Sequence, residues 1–254
     1  MKTSPKKLAC LLFSLYFLWS CSTSPKIVKV EKSSIELNAK STSDSSFYQT
    51  IAPYKTKMDA IMNEVLIVSE QALLKGLPES SLGSFVSDAV LIKTNERYKP
   101  ADNIPADICL LNNGGLRAQL PQGEITRGKV FELMPFENSI VILTLSGEKT
   151  KQLFDAMVAN NGAPFAGATV IGKGKKIQEL KIGGKEFDIN KTYKVVTSDY
   201  LAAGGDKYDF FKNSVKTDTL NYLLRDAIID YMVDEHKKGH TLKYATDGRI
   251  KLEQ

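Results

Sequence analysis

The chain has 254 residues, 43% hydrophobic and 25% charged, with 17 Gly, 9 Pro and 3 Cys, which is the make-up of an ordinary globular protein and not of a disordered or collagen-like one. Its net charge of +5 falls to +2 (31 Lys and Arg against 29 Asp and Glu) when Lys2, Lys6 and Lys7 of the leader are set aside, so there is no basic stripe for a nucleic-acid polymer. His236 and His240 are the only histidines, too few for a two-metal hydrolase site built from His and Asp.

Lys2, Lys6 and Lys7 precede an apolar run over residues 8–19, too short to span a bilayer as a mature helix and of the right length for a secretory h-region. Residues 1–20 therefore read as a signal peptide. The run closes on Leu18-Trp19-Ser20-Cys21, which resembles the bacterial lipobox, where the Cys is diacylated and becomes the new N-terminus. An uncleaved anchor, or a chance Cys in a leader, is the alternative. Lipidation at Cys21 implies a membrane-anchored protein of the bacterial cell envelope, periplasmic or at the outer membrane. With Cys10 removed and Cys21 lipidated, Cys109 is left alone and no intrachain disulfide can form. Within Ile108-Cys109-Leu110-Leu111 it reads as a small buried hydrophobe and not as a nucleophile.

Residues 21–46 are rich in Ser, Thr and Lys and read as a tether, with weak alternation at residues 26–30 and 34–37 suggesting an edge strand. The domain proper is expected over residues 47–254. Residues 51–62 look helical, and residues 64–73 follow as a strand with Val65, Ile67 and Val68. Leu82, Phe85, Val86, Ala89 and Val90 recur at helical spacing behind Ser caps at Ser80 and Ser81. A buried strand over 107–111 ends at Asn112-Asn113-Gly114-Gly115. A short helix starts from Thr126, a strand covers 139–145, and the helix after Ser146-Gly147 buries Leu153, Phe154, Met157 and Val158. A hairpin joins 177–182 to 185–187 through Gly183-Gly184, a strand covers 193–197, a long amphipathic helix runs over 220–236, and a terminal strand covers 249–252. Without a strict βαβ rhythm, this order predicts an α+β domain with a mixed sheet and flanking helices.

Three loops at strand ends concentrate glycine or proline beside polar or aromatic groups. Asn112-Asn113-Gly114-Gly115-Leu116-Arg117 offers glycines able to turn at positive φ and an Arg fork for phosphate, although a tight turn with a solvated Arg is the favoured explanation when it is taken alone. Met134-Pro135-Phe136-Glu137-Asn138 sets an aromatic on a proline-fixed turn, with an amide two residues on. Asp199-Tyr200-Leu201-Ala202-Ala203-Gly204-Gly205-Asp206 ends a strand in a ring and a carboxylate separated by a glycine pair. Two aromatic faces, an Arg, an Asn and an Asp are the inventory for a base, a ribose and a phosphate.

In this order, Asn-x-Gly-Gly-x-Arg, Pro-Phe-x-Asn and Tyr-Leu-Ala-x-Gly-Gly-Asp closely resemble the C-terminal substrate-binding domain of the 5'-nucleotidase/UDP-sugar hydrolase family, over roughly residue 51 to the C-terminus. The resemblance implies that Phe136 and Tyr200 sandwich the nucleobase and that Asp206 accepts from the ribose hydroxyls. It further implies that Asn112 and Asn138 contact the nucleoside and Arg117 holds the phosphate, with Gly114, Gly115 and Gly205 among the substrate-binding residues. Two positions depart from the family pattern: Lys75 is the only cation shortly before Glu79, where the family supplies Arg, and Lys207 stands where the family has Gly.

In two-domain members of that family an N-terminal metallophosphoesterase domain carries a dinuclear metal site; its motifs do not occur here as a set. The expectation is therefore the nucleotide-binding part of a split 5'-nucleotidase-type hydrolase, with no catalytic residue, metal or cofactor of its own. A separate metallophosphoesterase chain would supply divalent metals. The alternative is a non-catalytic nucleoside-binding envelope lipoprotein.

Overall fold

The computed structural model describes residues 26–35, 41 and 44–253. The leader, Cys21, and Glu36 and Leu37 lie outside the described residues. The chain divides into two compact units, Met1–Tyr48 and Gln49–Gln254. In the first, residues 26–35 form neither helix nor strand, so the edge strand expected at 26–30 does not form. These residues are exposed, and among the described residues no strand pairs with them, so no ladder satisfies their backbone groups. Asp44 accepts from the backbone N–H groups of Ser46 (2.9 Å) and Phe47 (3.1 Å), starting helix α1 at Ser45–Met62, six residues earlier than the apolar pattern suggests.

In the second unit β1 (Val65–Ser69) is shorter than expected, and α2 (Ser81–Arg97) begins where Ser80 Oγ accepts from Gly83 N at 3.0 Å. Then come β2 (Ile108–Leu110), β3 (Gly123–Thr126), α3 (Arg127–Leu133), β4 (Ser139–Ser146) and α4 (Gly147–Ala159). The Thr126 and Ser146 hydroxyls cap the two helices. β5 (Phe165–Ala166), β6 (Ala168–Lys173), β7 (Lys176–Ile182), β8 (Lys185–Glu186) and β9 (Thr192–Ser198) lead to the short α5 (Asp199–Ala202). β10 (Lys216–Leu223), α6 (Leu224–Lys237) and β11 (Ile250–Glu253) complete the order. The helix expected over 220–236 is thus corrected: residues 216–223 are a strand paired antiparallel with β4, and the helix starts at Leu224.

The central sheet has the order β10-β4-β9-β2-β5, with β2 and β9 parallel and the remaining pairs antiparallel. A second sheet runs β11-β6-β7-β8, and β1 pairs with β3. The domain is α+β with mixed sheets. Alternation along the central strands divides two cores. Cys109, Leu111, Ile140, Ile142 and Val196 face α2 and α6, while Ile108, Leu110, Val141, Leu143 and Val195 pack with Leu153, Phe154 and Met157 of α4. Burial on both faces explains why Ile108–Leu110 of β2 and Ile140–Leu143 of β4 read as unbroken apolar runs. Cys109 is fully buried and its thiol pKa is pushed up by burial, as befits a packing residue. Arg249 ties the C-terminus to α2: its guanidinium donates to both oxygens of Asp88 (2.9 and 3.0 Å), to Asp247 and to the Phe165 carbonyl.

Candidate nucleotide-binding site

The sheet register brings the three loops to one edge. β2 and β9 run parallel with Cys109 opposite Val196, so Asn112 and Asp199 leave the sheet at the same end. β4 is antiparallel to β9, with Ile140 opposite Ser198, so the Pro135–Asn138 turn enters at that end too.

The first loop is a 3-10 turn over Asn113–Gly115. Neither Gly114 nor Gly115 adopts the positive φ that the sequence suggests. Gly115 is required for a different reason: a Cβ there would lie 2.9 Å from Asn112 Oδ1. The Asn112 side chain lies over this glycine and donates through Nδ2 to Asp206 Oδ2 at 2.9 Å, 94 residues along the chain. Arg117 is anchored by its backbone N–H on the Leu133 carbonyl (2.8 Å), while its exposed guanidinium reaches only the Gly114 carbonyl at 3.4 Å.

In the third loop Ser198 caps α5, and Asp199 Oδ1 accepts from Tyr200 N (2.7 Å) and from Asn138 Nδ2 (2.8 Å), tying the second loop to the third. The chain then turns through Gly204 (φ 92°) and holds Asp206 and Lys207 in the left-handed region at φ 50° and 68°. This turn brings the Asp206 carboxylate back beneath Tyr200, whose phenol donates to Oδ1 at 2.8 Å. The bond raises the Tyr200 pKa above its usual 10.0, keeping the phenol a donor. Gly205 lies against the same ring; a Cβ would come within 2.5 Å of two ring carbons.

Asn112, Gly115, Tyr200, Gly205 and Asp206 therefore form one contiguous cluster, and Asn138 joins it through Asp199. Gly114, Arg117 and Phe136 stand on the adjoining loops without a side-chain bond to it. Phe136 and Tyr200 are 44% and 47% exposed, and among the described residues they make no ring contact with each other. An ionised carboxylate has about four acceptor positions. Asp206 uses two, leaving capacity for ligand hydroxyls.

Residues 68–213, which include all three loops, match the model of the 5'-nucleotidase C-terminal domain family. The chain belongs to that family. The trifunctional nucleotide phosphoesterase protein YfkN of Bacillus subtilis (strain 168) is 30% identical over 224 residues, covering 80% of this chain and 15% of its own length. Protein UshA of Yersinia enterocolitica is 31% identical over 156 residues, 57% of this chain and 27% of its own. The 5'-nucleotidase precursor structure from Thermus thermophilus superposes with a TM-score of 0.67 at 24% identity, over 80% of this chain and 42% of that one, and shows the same fold. The chain thus spans less than half the length of each of these proteins.

Three residues shape the site of this 5'-nucleotidase C-terminal domain without appearing in the set read from the sequence. Asp199 clamps two loops. Lys75, noted in the sequence only as the nearest cation, donates to the Leu116 carbonyl at 2.9 Å and so sits beside Arg117. Arg225, in the first turn of α6, is 6% exposed and supports the Phe136 turn from behind. Its guanidinium donates to the Met134 carbonyl at 3.3 Å and the Phe136 carbonyl at 3.5 Å and lies 4.1 Å over the Phe131 ring, while its Nε has no partner. A charge beginning an ordinary amphipathic helix carries no sequence signal of that duty.

His240 Nδ1 lies 2.7 Å from a Glu235 carboxylate oxygen at the solvated end of α6. Among the described residues no group of three His, Cys, Asp or Glu is placed to hold a metal ion.

Proposed function

We propose that the chain binds a nucleoside or nucleotide at this sheet edge and serves as the substrate-binding part of a 5'-nucleotidase-type phosphohydrolase. The carrying observation is the Asp206 carboxylate shared by Asn112 and Tyr200, which joins two distant motifs into one polar platform beside an exposed aromatic ring. On this reading Phe136 and Tyr200 stack on the base, Asp206 receives the ribose hydroxyls with Asn112 and Asn138 nearby, and Arg117 with Lys75 receives the phosphate. Hydrolysis belongs to a metallophosphoesterase centre on a separate chain that supplies the divalent metals, as an N-terminal domain does in two-domain members of the family. A signal peptide over 1–20, lipidation at Cys21 and a tether over 21–46 would place the domain at the bacterial envelope.

The test is phosphate release from nucleotides with divalent metal, with and without the metallophosphoesterase that co-purifies from the native membrane. Activity only with both chains supports the reading. Robust activity from this chain alone sinks the split enzyme, and nucleoside binding without any such partner turns it into a binding lipoprotein.

A further inference from the structure

Helix α1 is 18 residues long, yet none of its side chains is buried. Ile51, Tyr54, Met58 and Ile61 recur three, four and three residues apart and so fall in one stripe along it, each between 38% and 72% exposed. The other side of the helix is polar there: the Thr56 hydroxyl donates to the Ala52 carbonyl at 3.0 Å, and Lys55 pairs with Asp59. A helix of this length is marginal in water by itself and is ordinarily held by packing of its apolar face. The stripe is therefore a surface made for a partner.

Two relationships point to which partner. The first is position along the chain. The matches with YfkN and with the Thermus thermophilus 5'-nucleotidase precursor each cover 80% of this chain, more than residues 63–254 alone provide, so both run into α1. Because the family's domain is a C-terminal one, α1 is the element that joins it to whatever precedes it in longer members. The second is position in space. The Met62 carbonyl lies against Gly128, where a Cβ would come within 3.0 Å of it. Arg127 N donates to the Glu64 carbonyl at 2.9 Å, and the Arg127 guanidinium donates to Glu64 Oε2 at 2.6 and 2.8 Å. Arg127 opens α3, a helix about 10 Å long that ends at the turn carrying Phe136. A protein seated on α1 thus lies beside the helix that leads to the nucleotide platform, where a metal centre that cleaves the bound ligand has to be brought.

A catalytic domain on the same chain is held at an effective concentration of about a millimolar, and a separate chain has to replace that linkage with a contact surface. We infer that the stripe of Ile51, Tyr54, Met58 and Ile61 is the docking surface for the metallophosphoesterase chain, which receives it as a helix in an apolar groove. This inference rests on the split-enzyme reading above and adds where the two chains meet.

A photo-crosslinking amino acid placed at Met58 of the full chain in intact cells tests it, with the same group at Thr56, across the helix, as the control. A conjugate is expected from Met58 and not from Thr56, with its second chain identified by mass spectrometry as a metallophosphoesterase. Purified, the two chains together should release phosphate from adenosine 5'-monophosphate in the presence of divalent metal. An I51E/M58E variant should need about tenfold or more of itself to half-saturate that partner, the loss expected for hot-spot side chains. Its melting temperature and its adenosine affinity by calorimetry should equal those of the unaltered chain, because neither residue is buried. Half-saturation unmoved by the double substitution, conjugation to a second copy of this chain or to any other protein, or no conjugate from Met58 overturns the docking surface and leaves an active pair as a split enzyme. A lower melting temperature or weaker adenosine binding in the variant overturns it too, because the stripe would then serve the domain itself. A metallophosphoesterase conjugate from an unaltered chain that does not bind adenosine overturns the nucleotide reading and leaves the surface standing.

Discussion

The phenolic hydroxyl of Tyr200 donates to Asp206 Oδ1 at 2.8 Å across a six-residue loop, and Asn112 takes the other carboxylate oxygen at 2.9 Å. This arrangement fixes the tilt of the ring and the aim of the carboxylate together. Asp206→Asn keeps the shape but replaces an acceptor-only group with one that also donates, so it sets an amide against Tyr200 or Asn112. Adenosine affinity should fall about tenfold or more by calorimetry.

The same bond sets a pH dependence. Because it raises the Tyr200 pKa above the usual 10.0, the phenol keeps its proton up to that pH, and adenosine affinity should stay level through the mildly alkaline range as far as this group is concerned. Above that range a phenolate would face the Asp206 carboxylate, and affinity should drop. In Tyr200→Phe that alkaline drop should disappear, which titration calorimetry across the range would show.

Arg117 and Tyr200 should separate the phosphate from the base. Tyr200→Ala is expected to weaken adenosine and its monophosphate alike, roughly five- to 150-fold for one lost stacking face. Arg117→Ala should weaken only the monophosphate, by about tenfold or more. Equal losses for both ligands in the Arg117 variant would contradict its role.

Gly205→Ala forces a Cβ to within 2.5 Å of the Tyr200 ring and 2.7 Å of its carbonyl, so either the ring or the loop must move. The loop is at the surface, so melting temperature should change little while adenosine binding falls. A variant with unaltered affinity would show that the ring need not be held against Gly205.

Arg225→Met leaves the Met134 and Phe136 carbonyls without their donor and removes the cation above Phe131, at a cost of about 1–3 kcal/mol in urea unfolding. At temperatures where the variant is fully folded, adenosine affinity should still be reduced, because the turn carrying Phe136 has lost its support. Arg225→Lys, which can still donate to one carbonyl, should recover part of the affinity. Full affinity in the methionine variant would confine Arg225 to packing.

The central strands and helices are legible in the sequence because their signals are local: β2 and β4 carry apolar runs, β9 is rich in β-branched and aromatic residues, and Ser80, Thr126 and Ser146 mark helix starts. β10 is not legible, because Leu220 and Leu223 fall at helical spacing with Leu224 and Ala227, so the register with β4 decides what periodicity cannot. The residue types of the site are also legible, but their connections are not. Asn112 and Asp206 meet only after β2 enters the sheet beside β9, and Asp199 and Arg225 act on partners 61 and 91 residues away. Gly115 matters for a reason its sequence context does not carry: it makes room for the Asn112 side chain where a left-handed turn is expected.

β9 is the middle strand of the central sheet, yet it is among the last of its strands to be synthesised. Until residues 192–198 emerge from the ribosome, β4 and β2 share no neighbour and each presents unpaired backbone groups to the surroundings. Insertion of this one segment joins β4 to β2 and delivers Tyr200 and Asp206 to the waiting Asn112, so the bridging of the two halves of the sheet and the acquisition of the ligand platform go together, and β10 is added to the outer edge of β4 afterwards.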